Sequence, residues 1–260
     1  MEPVLNSHEL PPLPSGSWLD IATLPPASTS DESCMGGRVW KAAPALCAWM
    51  AGASDQIAGC SVLEVGAGTG ACGLFAAALG AGRVVLTDGG AESPPLFSLL
   101  EENARRTRCQ RPAKTQVEVA ALHWGREPLP AGPFDWVIGS DVTWGSDDEA
   151  HDGLSSTLAA LLRRDAGARC VLAMEHGLPI PVDAAALMAP TYRDETLEQF
   201  RSAARPHGLQ VVSLASPGGE TAPPAEPGQA EMLWPAEAFS AFTPHTTSEV
   251  FLVEVRLAFG

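Results

Sequence analysis

Leu63-Glu64-Val65-Gly66-Ala67-Gly68-Thr69-Gly70 decides the fold. Ahead of it, the apolar run Cys60 to Val65 reads as a buried strand. Behind it, Ala71 to Leu79 is rich in Ala and Leu and reads as a helix. A strand, a glycine turn and a helix bring backbone N–H groups and a helix N-terminus together beside a ligand. Glycine suits such a turn because a Cβ would hold a ligand off the backbone and because the turn often needs φ > 0. A second strand, Arg83 to Thr87, ends in Asp88. That acid stands about 20 residues beyond the first glycine, where a carboxylate can accept both hydroxyls of a ribose. The stretch points to an adenosine-type cofactor in an α/β sheet.

The glycines alone leave the cofactor open. Gly66-x-Gly68-x-x-Ala71 fits the dinucleotide fingerprint. Gly66-x-Gly68-x-Gly70 fits the turn of enzymes that use S-adenosylmethionine equally well, and a turn serving packing alone is the third reading.

Working outward, strands and helices alternate. A helix is expected over Trp40 to Met50, with Pro44 early enough to be tolerated. Further helices are expected over Leu96 to Arg106, residues 151–164 and Thr196 to Ala204. Strands are expected at Val117 to Ala120, at Pro133 to Asp141, at Cys170 to Met174, at Leu209 to Leu214 and at Glu249 to Leu257. This pattern predicts a Rossmann-like, seven-stranded mixed sheet with helices on both faces. The last two strands have no helix between them, so the final strand is expected to be antiparallel. Residues 1–35, rich in Pro and Ser, read as an irregular N-terminal extension, with Leu10, Trp18, Leu19 and Ile21 apolar enough to hold it down. Residues 36–260 form the main domain, with a flexible loop near 216–232.

Composition narrows the function. The chain has 260 residues, 45% of them hydrophobic, so a substantial core is expected. Its net charge is −15, and its two lysines are Lys41 and Lys114. Such a surface repels phosphate backbones, so nucleic acid is not expected as a substrate. It attracts a basic protein segment, although it also serves solubility alone. The six cysteines are scattered without a metal-ligand pattern, so no metal is expected and a reducing compartment is. The N-terminus lacks the basic and apolar regions of a leader, and no run is long enough to span a membrane. A monomer in the cytoplasm, with a nuclear pool, is the expectation.

Five blocks in order carry a resemblance. They are Gly37-Arg38-Val39-Trp40, the glycine stretch, Leu86-Thr87-Asp88, Leu122-His123-Trp124-Gly125 and Ile138-Gly139-Ser140-Asp141-Val142-Thr143-Trp144. Over residues 36–215 the chain resembles the seven-stranded S-adenosylmethionine-dependent protein-lysine methyltransferases called methyltransferase family 16, or the methyltransferase-like-21 group. The resemblance implies S-adenosyl-L-methionine as cofactor. It implies that Trp40 borders the cofactor, that Gly66, Ala67 and Gly68 touch it through backbone, and that Asp88 holds the ribose. It further implies that Trp124 walls the adenine and that Ser140 touches it. Asp141 opens the family's Asp-x-x-Tyr motif and would face the acceptor. Trp144 stands where that motif has Tyr; it keeps the aromatic face and loses the phenol hydroxyl. Packing roles for Trp40 and Trp144, and a turn role for Asp141, are the alternatives. As rivals to the methyltransferase stand an NAD-dependent oxidoreductase and a non-catalytic interaction module of the same fold. The commonest oxidoreductase relay, Tyr-x-x-x-Lys, is missing, since Tyr192 is followed four residues later by Thr196.

Overall fold

The computed structural model describes residues 4–6, 10–25, 32–89, 94–143, 148–165, 167–175, 191–214 and 250–258. Two short strands, β1 (Val4–Asn6) and β2 (Ile21–Thr23), pair antiparallel near the N-terminus. A 3-10 turn at Glu32–Gly37 leads into α1 (Ala42–Gly52) and the single turn α2 (Ser54–Ile57). The α/β alternation follows as β3 (Ser61–Glu64), α3 (Ala71–Ala78), β4 (Arg83–Asp88), α4 (Pro94–Arg106) and β5 (Gln116–Ala121). It continues through β6 (Trp136–Ser140), α5 (Asp148–Leu161), β7 (Arg169–Glu175) and α6 (Thr191–Ala204). The last strands are β8 (Leu209–Leu214) and β9 (Val250–Leu257).

These strands form one seven-stranded sheet in the order β5-β4-β3-β6-β7-β9-β8. The five strands from β5 to β7 pair parallel, whereas β9 pairs antiparallel with both β7 and β8. The expected mixed sheet with an antiparallel last strand is therefore present. Connections run outward one way from β3 through β4 to β5, then return to β6 on the other side. The carboxyl ends of β3 and β6 mark the switch point, where a crevice opens in such sheets.

Alternation along each strand divides the core in two. Val62, Val84, Leu86, Ile138 and Val171 face α1 and α3, while Leu63, Val65, Val85, Val137 and Leu172 face the α5 and α6 side. A period of two places neighbouring residues on opposite faces, and both faces are covered by helices, so these strands are apolar throughout. Residues 71–77 of α3 are all buried. That follows from its place between the sheet and an outer layer made by α1 and the N-terminal segment, which adds Leu10, Leu19 and Ile21 to the same core. The expected loop near 216–232 lies outside the described residues.

At the opposite end of the sheet from the switch point, Arg169 is packed over the rings of Trp49 and Trp136, 5.2 Å from each centroid. Its Nε donates to Glu254 Oε1 at 3.0 Å, and the other oxygen of Glu254 accepts from Arg256. Arg169 and Glu254 are only 11% and 7% exposed, so neutralising Glu254 takes the carboxylate away from a buried guanidinium. Glu254→Gln should lower unfolding free energy by about 3 kcal/mol in urea denaturation, with the dependence on urea unchanged. A loss under about 1 kcal/mol would show the pair to be weakly coupled to the fold.

Candidate cofactor and acceptor site

The glycine turn leaves β3 and crosses the switch point with Gly66, Gly68 and Gly70 all at positive φ (59°, 53° and 78°). At two of them a side chain is also sterically excluded. A Cβ on Gly66 would stand 2.7 Å from Val142 Cγ1 and 3.3 Å from Trp124 Cζ2. A Cβ on Gly68 would stand 2.6 Å from the carbonyl oxygen of Gly36. The turn is thus lined by Trp124 and Val142 on one flank and covered by the Met35–Gly37 backbone on the other.

Its backbone groups are largely engaged. Ala67 N–H donates to the Thr87 carbonyl at 2.8 Å, and the Ala67 carbonyl accepts from Gly70 N–H at 2.6 Å. Gly68 N–H donates to Asp88 Oδ2 at 2.8 Å, and Gly89 N–H donates to Asp88 Oδ1 at 2.8 Å. Asp88 is half-buried at the end of β4. Each of its oxygens has further lone-pair capacity, so it can bind the turn and still accept from hydroxyl groups. His123, just ahead of Trp124, lies beside Gly89; its Cε1 is 3.8 Å from where a Gly89 Cβ would stand.

Glu64 is the feature with the largest consequence for the ligand. This last residue of β3 is 1% exposed, and its Oε2 accepts from Gly73 N–H at 2.8 Å. The neighbouring Cys72 N–H also favours the charged form of that carboxyl. Burial pushes its pKa up to about 8; the two N–H donors pull the other way, and the nearby Asp88 charge adds to the rise. Beside it, the Cys72 thiol is pushed well above its ordinary range by Cys47 and by burial, with the nearby Ser140 hydroxyl acting the other way. Ser140 therefore points toward the α3 side of the sheet.

Asp141 follows β6 with φ at 54°, a left-handed conformation uncommon outside glycine. Its N–H donates to the Ala173 carbonyl at 2.9 Å. Strain held at a strand's carboxyl end is a mark of functional positions. Trp40 is 37% exposed, with its indole N–H donating to the Met35 carbonyl at 3.1 Å and the Arg38 guanidinium 4.8 Å above its ring. It reaches the turn through Met35-Gly36, not through a ring contact. Trp144 lies outside the described residues. Gly66, Gly68, Asp88 and Trp124 are thus brought to one rim, with Ser140 and Asp141 at its β6 end. Sequence reasoning left Glu64 and Val142 without roles. The signal for Glu64 was an acid in the middle of an apolar block.

This arrangement lies at the switch point of a doubly wound α/β fold. The same fold occurs in magnesium protoporphyrin IX methyltransferase from Synechocystis PCC 6803, solved with bound SAH. That match has a TM-score of 0.52 at 16% identity and covers 82% of this chain and 80% of that one. The lysine methyltransferase family matches residues 25–177, more than half of the chain, and this protein belongs to that family. Among its relatives, protein N-lysine methyltransferase METTL21A of Xenopus tropicalis is 33% identical over 106 residues, 41% of this chain and 46% of that protein. Histone-arginine methyltransferase METTL23 of Mus musculus is 32% identical over 130 residues, 49% of this chain and 48% of that protein. The chain spans about half the length of these relatives.

The family's cofactor, S-adenosyl-L-methionine, fits the geometry better than a dinucleotide does. A dinucleotide rests its pyrophosphate on the free N–H groups of the helix that follows the turn. Here the carboxyl of Glu64 already holds one of those donors, Gly73 N–H. An adenosyl sulfonium carries no phosphate and needs none of them. Among the described residues no helix is long and apolar enough to cross a membrane.

The raised pKa of Glu64 also has a stability consequence. Below the ordinary carboxyl value of 4.5 the group is protonated both folded and unfolded. Between 4.5 and about 8 only the folded chain keeps the proton, so stability falls as pH rises through that window. The slope due to this group approaches about 1.4 kcal/mol per pH unit. Glu64→Gln, which keeps an acceptor for Gly73 N–H, should flatten that slope in chemical denaturation from pH 5 to 8.5. An unchanged slope would mean that Glu64 is ionised in the folded protein.

Proposed function

We propose that this protein transfers the methyl group of S-adenosyl-L-methionine to a lysine side chain of another protein. The observation that carries the reading is the turn itself. Trp124 and Val142 pack against Gly66, a carboxylate stands at the tip of β4, and Glu64 occupies a backbone donor in the first turn of α3. Membership of the lysine methyltransferase family supports the same reading.

In this reading Trp124 and Val142 stack on the adenine, Asp88 accepts the ribose hydroxyls, and Gly66 to Gly68 follow the adenosyl group with their backbone. Ser140 touches the adenine from the end of β6, and Trp40 borders the opening. When bound, S-adenosyl-L-methionine supplies an electrophilic methyl group that a neutral amine displaces in line. The protein's task is then to position and desolvate the acceptor. A free lysine has a pKa near 10.4, so it must shed a proton first, and an apolar channel favours the neutral amine. Asp141 orients that amine by accepting one of its hydrogens. Trp144 offers an aromatic face to the incoming cation, worth about 0.5–2 kcal/mol.

The acceptor presents its lysine within a basic segment, matching the net charge of −15. The protein acts as a monomer, without nucleic acid. A cytoplasmic setting, with a nuclear pool, suits its free cysteines Cys47, Cys60, Cys72, Cys109 and Cys170.

The test is transfer of labelled methyl groups from S-adenosyl-L-methionine to proteins of a cell lacking this protein, followed by mass spectrometry of the labelled residue. Methyl-lysine supports the reading. Methyl-arginine would move the acceptor class toward that of METTL23, and cofactor binding with no labelled protein would favour a non-catalytic module. Asp88→Ala should weaken S-adenosyl-L-methionine binding by about 1–3 kcal/mol in calorimetry, the cost of losing a charged hydrogen-bond partner. Asp141→Ala should lower turnover far more than cofactor affinity. Equal loss of both would put Asp141 on the cofactor side.

A further inference from the structure

Asn103 lies on the buried face of α4, in register with Leu96, Leu99 and Leu100, and is 0% exposed. A polar side chain in that apolar row costs free energy unless its amide is satisfied. Its Oδ1 accepts from Ala22 N–H at 2.9 Å. Its Nδ2 donates to the Ala22 carbonyl at 2.9 Å and to the Thr69 carbonyl at 2.9 Å. One carboxamide therefore grips both backbone groups of a residue in β2 and a carbonyl inside the glycine turn.

The N-terminal segment is gripped twice more. Gln110, seven positions on, accepts from Asp20 N–H at 3.1 Å and donates to the Trp18 carbonyl at 2.8 Å. Leu24 N–H then donates to the Gly37 carbonyl at 2.7 Å, and the neighbouring Gly36 carbonyl rests on Gly68. Residues 18–24 are a strap fastened along the side of α4. The strap meets the turn twice: from Ala22 through Asn103 at Thr69, and from Leu24 through Gly36-Gly37 at Gly68.

We propose that Asn103 is a positioning residue for the cofactor turn, and that it couples the order of the strap to the binding of the adenosyl group. The proposal rests on the cofactor reading above. Asn103 touches no ligand. It fixes the peptide after Thr69, and so the path of Gly66 to Gly70 beneath the adenosyl group. It does so only while its other two hydrogen bonds hold the strap. Ligand that favours the closed turn must then favour the fastened strap by the same free energy.

Two measurements with S-adenosylhomocysteine test this. In the unaltered protein, hydrogen exchange at the Ala22 and Leu24 amides, which lie away from the adenosyl site, should slow when the ligand saturates the protein. Asn103→Asp keeps the acceptor and, as a carboxylate, removes both donated hydrogen bonds; protonated, it keeps at most one of them. At a temperature well below its own unfolding midpoint it should bind S-adenosylhomocysteine about tenfold more weakly by calorimetry. The ligand's protection of Ala22 should be lost in this variant. Unchanged exchange at Ala22 and Leu24 in the unaltered protein on ligand saturation overturns the coupling, whether or not the variant folds. A variant with a lowered midpoint but undiminished affinity overturns the positioning role. An unaltered protein that binds no S-adenosylhomocysteine overturns the cofactor reading and this inference with it. Binding without coupling overturns this inference alone.

Discussion

A carboxyl group with almost no access to water governs the cofactor end of this molecule. Glu64 ends β3, the strand from which the connections diverge, and accepts a hydrogen bond from the first turn of α3. That contact ties strand to helix across the turn and uses a donor that an anionic ligand would otherwise bind. The turn is left with its Gly66 and Gly68 flanks, where the lining is aromatic, aliphatic or backbone. A nucleoside without phosphate suits that surface. Choice between cofactors thus rests on which groups the protein has already satisfied within itself, rather than on the glycine spacing.

The second constraint is close approach. Gly66 admits Val142 and Trp124, and Gly68 admits the Gly36 carbonyl, at distances that any side chain would forbid. Three segments distant in sequence therefore converge on one turn: the Glu32–Gly37 turn, the loop after β5 and the residues after β6. The N-terminal segment is part of this assembly. Its apolar residues enter the core over α1 and α3, and its backbone is fastened to α4 by the carboxamides of Asn103 and Gln110.

The methyltransferase reading joins these features to an acceptor side built at the carboxyl end of β6. The left-handed conformation of Asp141 turns the chain between Ser140 and Val142, which point to opposite faces of the sheet. Ser140 points to the α3 face with Cys72, whereas Val142 belongs to the opposite core beside Trp124. The geometry of Trp144, which lies outside the described residues, bears on how an incoming side chain would be held.

Local pattern was enough to read the strands, the helices and the mixed sheet, because burial on both faces writes continuous apolar runs and the glycine turn needs particular residue types. The antiparallel last strand was legible in the missing helix between β8 and β9. The place of Asp88 at the end of β4 was legible through motif spacing, that of Trp124 beside the turn through the family resemblance, and the N-terminal segment's apolar residues announced that it would be held. The fates of Glu64 and Asn103 were not legible. Each is a polar residue in an apolar row, and whether such a residue is anchored or strained depends on which distant backbone groups reach it. Only tertiary structure brings Gly73 N–H to Glu64, and Ala22 and Thr69 to Asn103, since hydrogen-bond satisfaction in a dry interior is set by contacts across the chain and not along it.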